Sequence, residues 1–281
     1  MRILSGAIGV LATGVMLTSG ALAPADLLQT YSAHHAAVNA LAMTPDGAVG
    51  FSAGKDGKVI LWDAATGDEL MTIPACQVAI NDIAISPDGT LAATAGADGF
   101  LKIWDAQTGE LVTAIAAHSK ACNTVAWTDM STASLRVYSG GDDGYLRGYS
   151  VDDDYAMVQE WHANEGGVNV VEINESGSYA FTGGVDGRVC VFSINGGTRE
   201  SVIQAYENAE VLCLAFNSLE NCLLSGGTSG EDGKVKLWNH EGDLCGQFQA
   251  HVLGVRDFLL EDDYMITGGS DFKIRAWQRN F

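Results

Sequence analysis

Six stretches of this chain can be laid on one another, and that recurrence constrains the fold more than any other feature. The stretches are "FSAGKDGKVILWD", "ATAGADGFLKIWD", "YSGGDDGYLRGYS", "FTGGVDGRVCVFS", "LSGGTSGEDGKVKLWN" and "ITGGSDFKIRAWQ". Each carries a hydroxyl residue: Ser52, Thr94, Ser139, Thr182, Ser225 and Thr267. An aspartate follows in each: Asp56, Asp98, Asp143, Asp186, Asp232 and Asp271. Six residues after the aspartate stands an aromatic ring, Trp62, Trp104, Tyr149, Phe192, Trp238 or Trp277, so the ring recurs every 39 to 46 residues. Self-similarity at such a period marks a repeat architecture.

Upstream of each stretch runs an alternating segment: "VNALAMTPDG", "INDIAISPDG", "CNTVAWTDM", "VNVVEINESG", "VLCLAFNSLE" and "VRDFLLEDD". Alternation with period two, closed by Pro-Asp-Gly or a similar turn, reads as a half-buried strand. Thirty-four glycines against four prolines fit many tight turns. Four short strands per unit, repeated radially, make a propeller blade. Over residues 27–281 the chain resembles the WD-repeat (beta-transducin-like) β-propeller family, and six occurrences in register carry the resemblance.

The resemblance implies an all-β chain, a single propeller of six four-stranded blades. It also implies that a histidine ahead of each blade's first strand bonds the turn aspartate, with the hydroxyl residue and the tryptophan completing the set. Buried carboxylates need such donors. His34, Ser52, Asp56 and Trp62 then form one full set, and His251, Thr267, Asp271 and Trp277 another. His118 with Ser139 and Asp143, and His162 with Thr182 and Asp186, lack only the indole, which Tyr149 and Phe192 replace. Cys76 and Tyr206 stand at the histidine position of the second and fifth blades. These groupings look like catalytic triads, yet they fall in register across blades in a structural role, and no nucleophile elbow frames any serine. No catalytic residue is assigned.

The last repeat ends at Trp277, leaving too few residues for an outer strand. The segment Leu27–Tyr31 has the character of an outer strand without a blade. The ring is therefore expected to close by pairing this N-terminal strand into the sixth blade, covering both edges. Residues 26–281 form the propeller on this reading. Residues 1–25, uncharged from Ile3 to Ala25 and ending in Ala23-Pro24-Ala25, resemble a secretory signal peptide with a small-x-small cleavage site. The alternative is a degenerate remnant of propeller. The first implies an extracytoplasmic protein and the second a cytoplasmic one. The segment is a poor permanent membrane span, because small residues dilute it and no positive flank follows.

The formal charge of −20, from 35 acidic and 15 basic residues, argues against nucleic acid as the main partner. A partner with a basic surface is compatible with it. Six cysteines include no CxxC pair and no histidine cluster with zinc spacing, so no metal and no cofactor are expected. The function expected is a non-catalytic protein- or peptide-binding scaffold that works through a propeller face. The alternatives are a structural subunit of an obligate complex and a channel-centred small-molecule binder or enzyme. Candidate partner-binding residues are Asn39, Asn81, Asn123 and Asn169, which recur at the second position of four inner strands. Arg256 and Asp257 belong to the same ring, and Lys55, Asp142 and Glu231 stand just before the turn aspartate. Unusually long loops in blade four ("ANEGG") and blade five (Thr228–Glu231) add further candidates.

Overall fold

The computed structural model describes residues 34–128, 134–217, 221–228, 233–239, 241–260, 264–271 and 273–278. Each repeat folds into an antiparallel sheet whose strands follow chain order from the centre outward. The first sheet holds β1 (Val38–Met43), β2 (Val49–Gly54), β3 (Val59–Asp63) and β4 (Glu69–Ile73). The second holds β5 (Ile80–Ile85), β6 (Leu91–Gly96), β7 (Phe100–Asp105) and β8 (Leu111–Ala116). The third holds β9 (Cys122–Trp127), β10 (Arg136–Gly141), β11 (Tyr145–Ser150) and β12 (Ala156–His162). In the fourth are β13 (Val168–Ile173), β14 (Tyr179–Gly184), β15 (Arg188–Ser193) and β16 (Thr198–Gln204). In the fifth are β17 (Val211–Asn217), β18 (Cys222–Gly227), β19 (Lys234–Trp238) and β20 (Leu244–Gln249). The sixth has β21 (Val255–Leu260), β22 (Tyr264–Gly269) and β23 (Ile274–Gln278).

Burial follows radial position. The second and third strands are buried on both faces in the first five blades, whereas the outer strands β4, β8, β12, β16 and β20 alternate toward solvent. The core is divided among the contacts between blades. Five apolar clusters join blades one and two, two and three, three and four, four and five, and five and six. In step with them β1 packs on β5, β5 on β9, β9 on β13, β13 on β17, and β17 on β21.

The sixth blade departs from the expected closure. The sixth sheet has three strands in the order β21-β22-β23, and the N-terminal strand expected against β23 is not part of it. Residues 27–31, to which that strand was assigned, lie outside the described residues. Nor does β21 pack on β1 as the other inner strands pack on one another, so among the described residues six blades share five interfaces. The expectation rested on the rule that bare sheet edges are covered; among the described residues no strand covers the last edge.

Candidate functional site

The loop that leads into each inner strand (its entry loop) and the turn between the second and third strands lie on one face, and backbone hydrogen bonds tie them into a chain around the rim. Lys55 N–H donates to Ala37 O at 2.8 Å in the first blade, and Cys76 N–H of the next entry loop donates to Gly57 O at 2.9 Å. The same two bonds recur at Asp142–Ala121 and Ala163–Gly144, then at Val185–Gly167 and Tyr206–Gly187. Each turn is thus held by the loops before and after it, which makes this face a rigid frame for exposed side chains.

Under this frame sit the hydrogen-bond sets. His34 Nδ1 lies 3.0 Å from Asp56 Oδ1 and its Nε2 lies 2.8 Å from Ser52 Oγ, with Trp62 buried in the same sheet. In blade three the distances are 2.8 Å from His118 to Asp143 and 2.9 Å to Ser139. In blade six they are 2.7 Å from His251 to Asp271 and 2.8 Å to Thr267, and Trp277 Nε1 donates to Thr267 Oγ1 at 2.9 Å. Gly141 and Gly269 let the rings lie flat, since a Cβ there would come within 2.5 Å of His118 and 2.1 Å of His251. The proton order that satisfies every atom runs from indole N–H to hydroxyl, from hydroxyl to Nε2, and from Nδ1–H to carboxylate. Burial depresses the His118 pKa despite the neighbouring Asp143, in keeping with a neutral ring. Burial also works against a charge on Asp143, but hydrogen bonds from Arg147 and His118 outweigh it and hold that carboxyl well below the usual range. Arg275 and His251 do the same for Asp271.

Blade four departs from the expected set. His162 is exposed at the end of β12 and stacks edge-on against Tyr145, while Asn164 takes the place between Thr182 and Asp186. Thr182 Oγ1 donates to Asn164 Oδ1 at 2.7 Å, and Asn164 Nδ2 donates to Asp186 Oδ1 at 2.9 Å. The amide oxygen thus stands in for Nε2 and the amide nitrogen for Nδ1–H. An alanine precedes the position in every repeat (Ala33, Ala75, Ala117, Ala163, Ala205, Ala250) and would have given the register. Four residues past the turn aspartate, Lys102, Arg147, Cys190 and Lys236 donate to the carbonyls of Ala75, Ala117, Ala163 and Ala205 at 2.9, 3.0, 3.0 and 2.6 Å. In blade two the Cys76 thiol donates to Asp98 at 3.1 Å. Tyr206 in blade five donates to Ser225 O at 2.9 Å.

The His–Ser–Asp distances match those of a hydrolase triad, so burial is what decides their role. Ser139 and Thr267 are wholly buried and Ser52 nearly so, which leaves no room for a substrate at the hydroxyl. Among the described residues no group of three or more His, Cys, Asp or Glu could hold a metal ion, all six cysteines are free, and no helix is long and apolar enough to cross a membrane.

The recurring asparagines bridge blades. Asn39 Nδ2 donates to Ile80 O at 2.8 Å, Asn81 to Cys122 O at 2.8 Å, Asn123 to Val168 O at 3.0 Å, and Asn169 to Val211 O at 3.1 Å. Each amide thus reaches the first inner-strand carbonyl of the following blade. Asn123 also donates to Asp142 and Asn169 to Glu210. Leu212 occupies this register in blade five and cannot make the bond. Arg256 is exposed with Nε on Ser270 Oγ at 2.9 Å, Lys55 is exposed on the rim, Asp257 is half-buried, and Glu231 lies outside the described residues.

One buried carboxylate was not anticipated. Asp82, at the third position of β5, accepts Ile83 N–H at 2.8 Å and reaches into blade three to accept Val125 N–H at 2.9 Å. Burial pushes its pKa up to about 7, against the lowering effect of these bonds. Thr124 repeats the arrangement one blade on, accepting Val171 N–H at 3.2 Å.

On the opposite face the turn carboxylates serve their own turns. Asp63 Oδ1 accepts Ala65 and Thr66 N–H, Asp105 Oδ1 accepts Gln107 and Thr108 N–H, and Asp46 and Asp88 bond Thr44 and Ser86. A cleft of about 380 Å³ between blades one and two opens there, lined by Pro45, Leu61, Leu70 and Met71 with Asp46 and Asp88 at its edge. Asn174, within an Asn-Glu-Ser sequon, is buried and closes a turn by accepting Ser178 and Tyr179 N–H.

Radial sheets with entry loops and turns gathered on one face, pinned by buried His/Asn–hydroxyl–Asp sets, define a β-propeller of the repeat-scaffold class. The family model "WD domain, G-beta repeat" matches residues 25–63, 67–105, 156–193 and 197–239, more than half of the chain, and the chain belongs to that family. Over 160 residues it is 25% identical to cilia- and flagella-associated protein 52 of Bos taurus, covering 54% of this chain and 25% of that protein. It is 34% identical over 110 residues to the WD repeat-containing protein 91 homolog of Dictyostelium discoideum, covering 39% of this chain and 14% of that one. Over 83 residues it is 32% identical to polyadenylation factor subunit 2 of Candida albicans, covering 29% and 14%. The matches thus span a quarter or less of these relatives' lengths.

Proposed function

We propose that the chain is a non-catalytic scaffold that binds protein or peptide partners through the entry-loop face. One observation carries the choice of face. Among the described residues, the large apolar side chains exposed in loops or turns are Val78, Val185, Val252 and Leu253, and all four lie on that face. The strongest concentration is in blade six, where Val252 is 72% and Leu253 42% exposed. Beside them stand two described residues of blade five, Thr228 against Gly254 and Gly233 against Leu253 O. Apolar anchors ringed by polar groups are the usual centre of a protein interface. Lys55, Asp142 and Arg256 would supply that polar rim and its sidedness. The asparagines support it from beneath, since their amide N–H groups are used between blades. Affinity capture with the tagged full-length chain, set against the Val252→Asp/Leu253→Asp variant, tests the reading. It predicts a protein retained in stoichiometric amount by the parent and lost by the variant. Equal retention by both overturns the choice of face, and no retention by either overturns the scaffold.

A further inference from the structure

On the face opposite the entry loops, successive blades meet at a position that one backbone bond fixes. In blades two, three and four the N–H two residues past the third-strand aromatic donates to the carbonyl just before the second strand, at 2.9, 3.0 and 2.8 Å, which puts Ala106, Val151 and Ile194 in register. In blade three Val151 packs with Tyr155 on the apolar cluster shared with blade two. In blade four Ile194 is buried in the cluster shared with blade three. There Gln159 Nε2 of β12 also donates to Ile194 O at 2.5 Å and Trp161 Nε1 to Gly197 O at 3.1 Å, which seals the contact. Between blades one and two, Ala106 offers a methyl group where the others offer a branched chain. Met71 and Ile73 stand in register with Gln159 and Trp161, four and two residues ahead of the recurring alanine, and have no side-chain N–H to give. The space left is the cleft of about 380 Å³, walled by Leu61, Leu70, Met71 and Ala106. Ligand clefts measure ~300–1,000 Å³ and are mostly apolar with a few placed polar groups.

The polar groups at its edge are Asp46 and Asp88. Thr44 Oγ1 and Ala48 N–H donate to Asp46 Oδ1, while Ser86 Oγ, Thr90 N–H and Thr90 Oγ1 donate to Asp88 Oδ1. The Thr44 bond above all lowers the Asp46 pKa; at Asp88 burial works the other way, and the bonds from Ser86 and Thr90 outweigh it. Both are therefore charged at neutral pH. All these bonds end on Oδ1, and among the described residues none reaches Oδ2 of either carboxylate. No lysine, arginine or histidine lines the cleft. Asp68, Glu69 and Glu110, exposed at the adjoining strand ends, extend the negative border. A cationic head on an apolar stem complements such a site. We propose that the cleft is a second binding site, for a segment of a partner polypeptide that sets a lysine or arginine at Asp46 and Asp88 and an adjoining apolar side chain against Leu70 and Met71. Leu70 is 53% exposed on β4 and carries the apolar wall out of the cleft, which suits an extended segment. A second copy of this chain does not suit it, since each copy carries a formal charge of −20. The site lies apart from the entry-loop face and takes a different segment, so the two readings fail independently.

Peptide binding to the full-length chain tests the proposal. The probes are an array of labelled heptapeptides that pair one lysine or arginine with leucine, isoleucine or methionine at every spacing, read by fluorescence polarisation. At least one should bind, and its counterpart with norleucine in place of the basic residue should bind roughly tenfold or more weakly, a comparison made on the unaltered protein. Ala106→Ile fills the cleft with the side chain that blade four carries there, and should weaken the same peptide by roughly tenfold or more. Asp46→Asn/Asp88→Asn keeps an acceptor for each turn, removes both charges, and should weaken it to a similar degree. The Val252→Asp/Leu253→Asp variant should bind it as the parent does. An array without a binder overturns the proposal, as does binding that Ala106→Ile leaves unchanged or that Val252→Asp/Leu253→Asp abolishes. Equal binding of the norleucine counterpart rejects a cationic occupant. Butylguanidine binding as tightly as the best peptide rejects a polypeptide in favour of a small cation.

Discussion

Replacing Asp82 by asparagine should flatten the dependence of stability on pH across the neutral range. Asp82 bridges blades two and three from an almost wholly buried position, and its pKa is raised from 3.8 to about 7 in the folded state. A carboxyl whose folded pKa is raised binds its proton more tightly in the native state. Its contribution is therefore most favourable below pH 4 and is lost as pH rises toward 7. One pKa unit corresponds to about 1.4 kcal/mol, so ionising Asp82 in place removes roughly 4 kcal/mol between pH 4 and pH 7. Asparagine keeps one acceptor for the two N–H groups and so destabilises the protein at low pH, by about 1–3 kcal/mol for the group left bare. Urea unfolding of both proteins at pH 4.5, 6 and 8 isolates the term. The parent's advantage should shrink by several kcal/mol on going to pH 8. It is followed as a difference between the two proteins, which cancels the opposing titration of His118. A parent-minus-variant difference that is constant over this range would mean that Asp82 is ionised throughout or equally perturbed in the unfolded chain, and that its burial sets no pH dependence.

Asn164→Ala takes the amide acceptor from Thr182 and one of three donors from Asp186, which keeps the N–H groups of Glu165 and Arg188, and should cost about 1–3 kcal/mol, whereas His162→Ala should change stability by less than about 1 kcal/mol. Equal losses in chemical unfolding would contradict the assignment of Asn164 to the set. Asn81→Ala deletes one bond between blades and should lower stability by about 1 kcal/mol, with the entry-loop face unchanged in binding; a loss of binding at unchanged stability would return the asparagines to the interface. A fluorophosphonate that labels activated serines should leave Ser52 and Ser139 unmodified in the folded protein, since both are buried. Stoichiometric labelling that vanishes in His118→Ala would make blade three an enzyme site.

Most of the architecture was legible because it repeats. The alternating runs that predicted inner strands are β1, β5, β9, β13, β17 and β21, and in blades one, three and six a histidine lies between the turn aspartate and the hydroxyl residue. Blade four was misread because histidine was sought by residue type. The β12 strand runs to His162, and Asn164 does the chemistry of an imidazole with an amide. Asp82 escaped because its partner Val125 lies 43 residues away on the next blade, so no local pattern reports the bond. Closure was misjudged for a related reason: strand character at residues 27–31 says nothing about whether a distant edge receives that strand. The asparagine ring was legible as a recurrence, but its direction, from each blade to the next, was visible only in three dimensions.

Hydrogen–deuterium exchange of the full-length chain, alone and saturated with its captured partner, distinguishes binding at the entry-loop face from binding elsewhere. Exchange should slow in the entry loops and turns, above all at residues 251–254 and 184–187, with the turns around Asp63 and Asp105 on the opposite face unchanged. Protection confined to that opposite face, or to the exposed outer strands, would contradict binding at the entry-loop face.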